Sequence, residues 1–156
     1  MLQMKTLILG CGKHYQKKYQ EEVTVDIRAF PCVDIVFDLN ITPWPFENEE
    51  FTSISAVHLV EHLNDLISFM DQCHKILCPG GSLYLETPLA GGDVDLEWAD
   101  PTHKRCYRKH TFINYFTVEG VNRFGYTGYS WCIYHLEAKD GNLIFHGTPI
   151  KGRSND

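Results

Sequence analysis

Five short runs rich in aliphatic and β-branched residues mark the first half of the chain, at positions 5–9 (KTLIL), 23–27 (VTVDI), 33–37 (VDIVF), 51–57 (FTSISAV) and 82–86 (SLYLE). Each has the length of a strand, and turn-like stretches separate the middle three. Helical spacing appears between the fourth and fifth runs. There Leu63, Leu66, Ile67, Met70, His74 and Leu77 recur on one stripe, and CPGG at 78–81 predicts the end of the segment. A second helix is predicted after Thr111, carrying Phe112, Tyr115, Phe116, Val121 and Phe124. The last apolar stretches, 131–136 and 143–146, flank AKDGN, whose Asp140–Gly141 step predicts a tight hairpin.

Strands, Gly-rich turns and helices in this order predict an α/β fold, a Rossmann-like, mostly parallel sheet with a C-terminal antiparallel hairpin. Ligands of such sheets bind at the carboxyl ends of the strands. Gly10 and Gly12 follow the first strand, Asp26 ends the second, Asp38 follows the third and His58 the fourth, so four strand ends converge on one crevice. The connections are short. About ten residues separate Gly12 from the second strand and about six separate Asp26 from the third, whereas a helical crossover needs roughly a dozen or more. Helices on one face are therefore expected to be reduced. Parallel sheets are buried on both faces, so a homodimer through the under-covered face is expected.

A length of 156 residues fits a single domain, 1–156. The net charge of −6 argues against broad nucleic-acid binding. One segment, HKRCYRKH at 103–110, is locally basic, and Lys104, Arg105, Arg108 and Lys109 could hold a carboxylate or phosphate of a small anionic substrate. A solvated charge cluster at a helix start is the alternative. No apolar run approaches the roughly 18 residues of a membrane span, and the N-terminus lacks a cleavage-site pattern, so no membrane association and a cytoplasmic location are expected. Six cysteines without a C-x-x-C pair read as reduced thiols.

LILGCG runs an apolar strand into G-x-G, where missing side chains let a ligand approach the backbone. A dinucleotide fingerprint would want a third glycine where Tyr15 stands, so NAD is disfavoured. Asp26 lies sixteen residues beyond Gly10, near the spacing at which an acid receives ribose hydroxyls. A nucleoside without a diphosphate fits. In order, LILGCGK, VTVDI, VFDLNITPWPFENEEF, SAVHLVEHL, CHKILCPGGSLYLETP and DPTHKR resemble the motifs of the class I S-adenosylmethionine-dependent methyltransferases. The resemblance is to the compact type 11 group and spans about residues 5–116. It implies that Gly10, Cys11 and Gly12 pass beneath the methionine part of S-adenosylmethionine. It further implies that Asp26, with Ile27 beside it, holds the ribose, that Asp38 and Leu39 border the adenine, and that His58 faces the sulfonium. The family often has glycine where this chain has His14, and aspartate where it has Thr52.

HLVEHL (58–63) follows the fourth strand. On a helix, His58, Glu61 and His62 would share one face. The loop ETPLAGGDVDLEWAD reads as a lid leading to DPTHKR, which places His103 opposite. His58, Glu61, His62 and His103 together would form a ligand set suited to a divalent transition metal. In the related quinone O-methyltransferases and small-RNA 2′-O-methyltransferases, E-x-x-E-H at this place binds a divalent cation; here His58 replaces the first glutamate. Two other roles stay open: hydrogen bonds that orient the helix start, and a general base, His58 or His103, for an acceptor that must lose a proton. The expected function is in-line methyl transfer to a small-molecule, sugar or glycan-linked acceptor. An RNA 2′-O-methyltransferase and an inactive S-adenosylmethionine-binding scaffold are the alternatives.

Overall fold

The apolar runs pair side by side. The computed structural model describes residues 4–92 and 95–152. Its strands are β1 (Thr6–Leu9), β2 (Glu22–Asp26), β3 (Ile35–Val36), β4 (Phe51–Val57), β5 (Leu77–Pro88), β6 (Ser130–Lys139) and β7 (Asn142–Ile150). They form a seven-stranded sheet in the order β3-β2-β1-β4-β5-β7-β6. The first five strands pair in parallel, and β7 runs antiparallel between β5 and β6. This is the mostly parallel Rossmann-like sheet with a C-terminal hairpin that the pattern predicts. At the hairpin turn, Asp140 and Gly141 both have positive φ, at 51° and 77°, the conformation a two-residue turn between twisted strands requires.

Among the described residues three α-helices accompany the sheet: α1 (Leu66–Ile76), α2 (Lys109–Phe116) and α3 (Val118–Phe124). Phe69 and Met70 of α1 and Phe112 and Phe116 of α2 bury against Leu7, Leu9, Leu83, Leu85 and Phe145, so these two helices cover one face. The single helix predicted after Thr111 is two, because Thr117 serves both ends. Its extended backbone stops α2 while its hydroxyl donates to the Ile113 carbonyl (2.8 Å) and accepts from Gly120 N–H (3.2 Å). The earlier helical segment does end just before CPGG, at Ile76, and of its predicted stripe only Leu77 belongs to the fifth strand instead. Strand β5 starts at Leu77, paired with Phe51, and Gly80 (φ 75°) lets the chain pass a register shift before Ser82 pairs with Ser53.

No helix occupies residues 10–21, 27–34 or 37–50. The second face is protected unevenly. Over β2, Tyr15 donates to Glu22 (3.0 Å), Lys18 N–H donates to the same carboxylate (2.9 Å), and Thr24 donates to the Cys32 carbonyl (2.6 Å), leaving Glu22 and Thr24 buried beneath loops. Burial, then the bond to Glu22, pushes the Tyr15 hydroxyl up to about 12. Farther across, most residues of the same face are polar, with half-buried Ile144 and exposed Val57 as aliphatic exceptions. Ser53 and Ser55 of β4, Ser82, Tyr84 and Glu86 of β5, and His146 and Thr148 of β7 stand where a two-layered sheet carries aliphatic side chains. Tyr84 donates to Glu86 (2.7 Å) and meets His146 edge to face at 4.8 Å. All six cysteines are free, and among the described residues no helix is long and apolar enough to cross a membrane.

His74 of α1 is buried, with Nε2 near the Ile150 carbonyl (3.2 Å) and Nδ1 without a partner among the described residues. Burial, then the charge of Lys151, pushes its pKa down to about 4 from 6.5. The folded state thus keeps His74 neutral where the unfolded chain takes up a proton, and stability is lost as pH falls from 6.5 towards 4. The expected loss is up to roughly 3 kcal/mol. It is measured as a fall in urea midpoint between pH 7.5 and pH 4.5 that His74→Gln reduces.

Candidate functional site

Strand β1 ends in a backbone that turns twice through left-handed φ, at Gly10 (64°) and Gly12 (69°). Gly10 and Cys11 N–H groups donate to the Val25 carbonyl (2.9 and 3.2 Å), and Gly12 N–H donates to Asp26 Oδ2 (2.9 Å). A Cβ at Gly10 would press on Leu59 at 2.9 Å, whereas one at Gly12 would meet nothing within 4 Å. The turn is therefore packed underneath and open above, beside a carboxylate. Asp26 Oδ1 accepts from Arg28 N–H (3.0 Å), which orients the group and leaves lone pairs on both oxygens. Ile27 beside it is 61% exposed, an apolar surface suited to a flat ring. Burial, then Cys32, pushes the Cys11 thiol up to about 12, which favours its protonated form.

At the third strand end, Asp38 Oδ1 accepts from the backbone N–H and side chain of Asn40 (2.9 and 3.0 Å). Leu39 points into the core, and its carbonyl accepts from the Trp44 indole (3.2 Å). Asp38 and the exposed Ile27 thus face the crevice end of the sheet, while the Leu39 side chain belongs to the interior.

After β4 the chain does not begin a helix at His58. His58 has φ 50°, a 3₁₀ turn covers Val60–His62, and α1 begins only at Leu66, where Asp65 accepts from Ile67 and Ser68 N–H. His58 and His62 therefore do not share a helical face. Instead His58 N–H donates to the Glu86 carbonyl (2.8 Å), which aims its ring at Glu61. The Glu61 carboxylate is buried. Its Oε1 meets His58 Nδ1 at 3.3 Å and its Oε2 accepts from Thr87 Oγ1 at 3.0 Å. The bond to Glu61, opposed by burial and aided by the charges of Glu61 and Glu86, holds the His58 pKa above its ordinary value.

The carbonyl of Glu61 accepts Lys104 and Arg105 N–H (2.8 and 3.3 Å), docking residues 100–105 across from the turn. Ligand atoms of Glu61, His62 and His103 then lie within 4.8 Å of one another; His58 is outside this group. Both imidazoles have assigned tautomers. Thr102 Oγ1 gives its proton to Asp100 (2.7 Å), so at 3.0 Å it accepts from His62 Nδ1; His103 Nδ1 donates to the Glu97 carbonyl (2.8 Å). In the neutral form each ring then carries its lone pair on Nε2, and the rings meet edge to face at 4.7 Å.

Of the basic residues, Lys104 donates to Asn64 Oδ1 (2.8 Å) and Arg105 to the Asn64 carbonyl (2.9 Å), so both fasten the segment. Arg108 sits at the start of α2 and lines a cavity of about 620 Å³ with residues 90–91, 97–98, 106, 110–111 and 114–115. Thr87, Thr102 and Glu97 escaped the sequence reading. Asp100-x-Thr102 is a local turn signal, but nothing in the chain shows that Thr87 and Glu97 would meet Glu61 and His103.

The sequence model of a family described as "Methyltransferase domain" matches residues 8–124. A Mycolicibacterium smegmatis protein named "Probable S-adenosylmethionine-dependent methyltransferase" is 28% identical over 93 residues, 51% of this chain and 36% of that protein. The Rattus norvegicus mitochondrial ubiquinone biosynthesis O-methyltransferase is 45% identical over 42 residues, 26% of this chain and 12% of that protein. The chain thus spans well under half the length of either relative. Among solved structures, a SAM-dependent methyltransferase from Archaeoglobus fulgidus superposes with a TM-score of 0.65 at 14% identity, covering 93% of this chain and 86% of that one. One from Aquifex aeolicus gives 0.65 at 10%, covering 94% and 82%.

The His58–Glu61 pair gives a pH signature. Because the folded pKa is raised, its stabilisation is complete below about pH 6.5 and is lost as pH rises through the folded value; solvent at the half-exposed ring keeps the effect small. Glu61→Gln is expected to return the His58 titration, followed by NMR of the ring, to its ordinary value or below. Glu61→Ala strands the Thr87 hydroxyl as well and should cost about 1–3 kcal/mol in denaturant unfolding.

Proposed function

The chain belongs to the methyltransferase domain family, and on that premise we propose that it transfers a methyl group from S-adenosylmethionine to an oxygen of a small, sugar-like acceptor. S-adenosylmethionine is the cofactor of this class, and the residues fit it. The observation that carries the reading is the open Gly10–Gly12 backbone tied to Asp26. It offers room for the methionine portion next to an oriented carboxylate for the ribose hydroxyls, with Ile27 bare beside it.

The reaction is a displacement at a carbon already activated by the sulfonium, so alignment of acceptor and methyl is the main task. As the acceptor oxygen bonds to the methyl carbon, the carbon–sulfur bond breaks, the electron pair stays on sulfur, and a hydroxyl proton must leave. In this reading His103, whose Nδ1 donates to the Glu97 carbonyl, takes it on Nε2. His58, held towards its protonated form by Glu61, is the better hydrogen-bond donor.

A second reading is favoured by one observation, the grouping of Glu61, His62 and His103. Two imidazoles with Nδ1–H already engaged, beside one carboxylate, are a donor set for a transition metal rather than for magnesium. Such an ion would acidify an acceptor hydroxyl. His58 would stay outside the ligand set.

Calorimetry is expected to detect S-adenosylmethionine binding that Asp26→Ala weakens about 10- to 100-fold, with label passing from its methyl group to a polar metabolite extract. Failure of the wild-type chain to bind the cofactor would sink the proposal. For the metal, zinc or manganese content after dialysis should approach one ion per chain, fall on His62→Ala or His103→Ala, and survive His58→Ala. Equal retention by all three variants would remove the metal.

A further inference from the structure

The cavity of about 620 Å³ at the start of α2 has charges that do not close on each other. Glu97 is buried in its wall: Oε1 accepts from Gly91 N–H (2.7 Å), while Oε2 is buried without a partner among the described residues. A buried carboxylate oxygen left unpaired is costly. The Gly91 bond and the nearby Arg108 charge hold its pKa below the ordinary range, so it is ionised at neutral pH. Arg108 lines the same space, yet no ion pair between the two forms among the described residues. Its guanidinium lies over Gly91, where a Cβ would come within 2.6 Å of it. Trp98, 57% exposed, and Tyr115 supply aromatic surface, and His110 and Asn114 add polar groups. The cavity adjoins the histidines, because the Glu97 carbonyl is the acceptor that fixes His103.

We infer that this cavity is the acceptor site and that it takes an anionic monosaccharide, a sugar carrying a phosphate or a carboxylate. The anion sits on Arg108, whose planar fork matches either group. Ring hydroxyls meet the His110 and Asn114 side chains that line the cavity. The apolar face of the sugar ring lies on Trp98. The inference rests on the methyl-transfer reading for the role of the site, but it concerns residues separate from the cofactor end.

The test is calorimetry on the full chain saturated with S-adenosylhomocysteine, using glucose 6-phosphate, glucuronate, glucose and inorganic phosphate. At least one of the two anionic sugars should bind ten times or more tighter than glucose and than phosphate alone. Arg108→Gln should erase the advantage over glucose, and Arg108→Lys should restore part of it. Trp98→Ala, a surface change that leaves folding intact, should weaken the anionic sugars about tenfold without moving S-adenosylhomocysteine affinity. If glucose or phosphate alone binds as tightly as both anionic sugars, or Arg108→Gln changes nothing, the inference is overturned. If S-adenosylhomocysteine binds and no sugar does, the cavity assignment falls while the methyl-transfer reading stands. If the sugars bind and S-adenosylhomocysteine does not, the anionic-sugar site stands and that reading falls.

Discussion

Glu61 is a carboxylate with 1% of its surface exposed, and the site is arranged around its need for partners. A charge taken out of water must be compensated locally, because the interior screens it poorly and leaving it bare costs several kcal/mol. Three separate pieces of chain supply the compensation or are held by it. His58 comes from the end of β4, the Thr87 hydroxyl from β5, and the 104–105 amides meet the Glu61 carbonyl. The same residue thus joins two neighbouring strands to a segment more than forty positions away. The left-handed backbone at His58 follows from this constraint: the ring has to turn back towards position 61 before the chain can begin its 3₁₀ turn.

The shortened connections change how the sheet is protected. Helical crossovers normally bury both faces of a parallel sheet. Here one face has α1 and α2 over an aromatic and aliphatic core, while the other is closed over β2 by loops pinned to Glu22 and Thr24 and is polar beyond it. Serines, Tyr84, Glu86 and His146 can keep their hydrogen bonds in water, so the aliphatic surface on this face is confined to residues such as Val57 and Ile144. A partner covering this face would have to meet hydroxyl, carboxylate and imidazole groups.

Much of the fold was legible because its signals are local. Strand β1 running into Gly10–Gly12, the short connections and the Asp140–Gly141 turn each follow from a few adjacent residues. The errors came where long-range pairing competes with local pattern. Leu77 continues the apolar stripe of α1, yet it is already paired with Phe51; one apolar stripe after Thr111 reads as one helix, yet Thr117 satisfies the ends of two. HLVEHL has helical spacing, but His58 is bound to the Glu86 backbone before a helix can form. At the site, the strand-end residues could be read from order along the chain. Thr87 and Glu97 could not, since their roles exist only once β5 and the 97–103 turn are folded against Glu61 and His103.

The two histidines across the crevice are set for different tasks by their partners. His58 faces a carboxylate, which favours its charged form and its use as a donor. His103 faces a carbonyl, which accepts Nδ1–H and leaves Nε2 as an acceptor. Glu97 ties the second of these to the neighbouring cavity, because one residue supplies the carbonyl that selects the His103 tautomer and the carboxylate that lines the space beside it. A molecule that pulls on the Glu97 side chain therefore also loads the bond that orients His103. The cavity wall and the orientation of the His103 ring are in this way coupled through one residue.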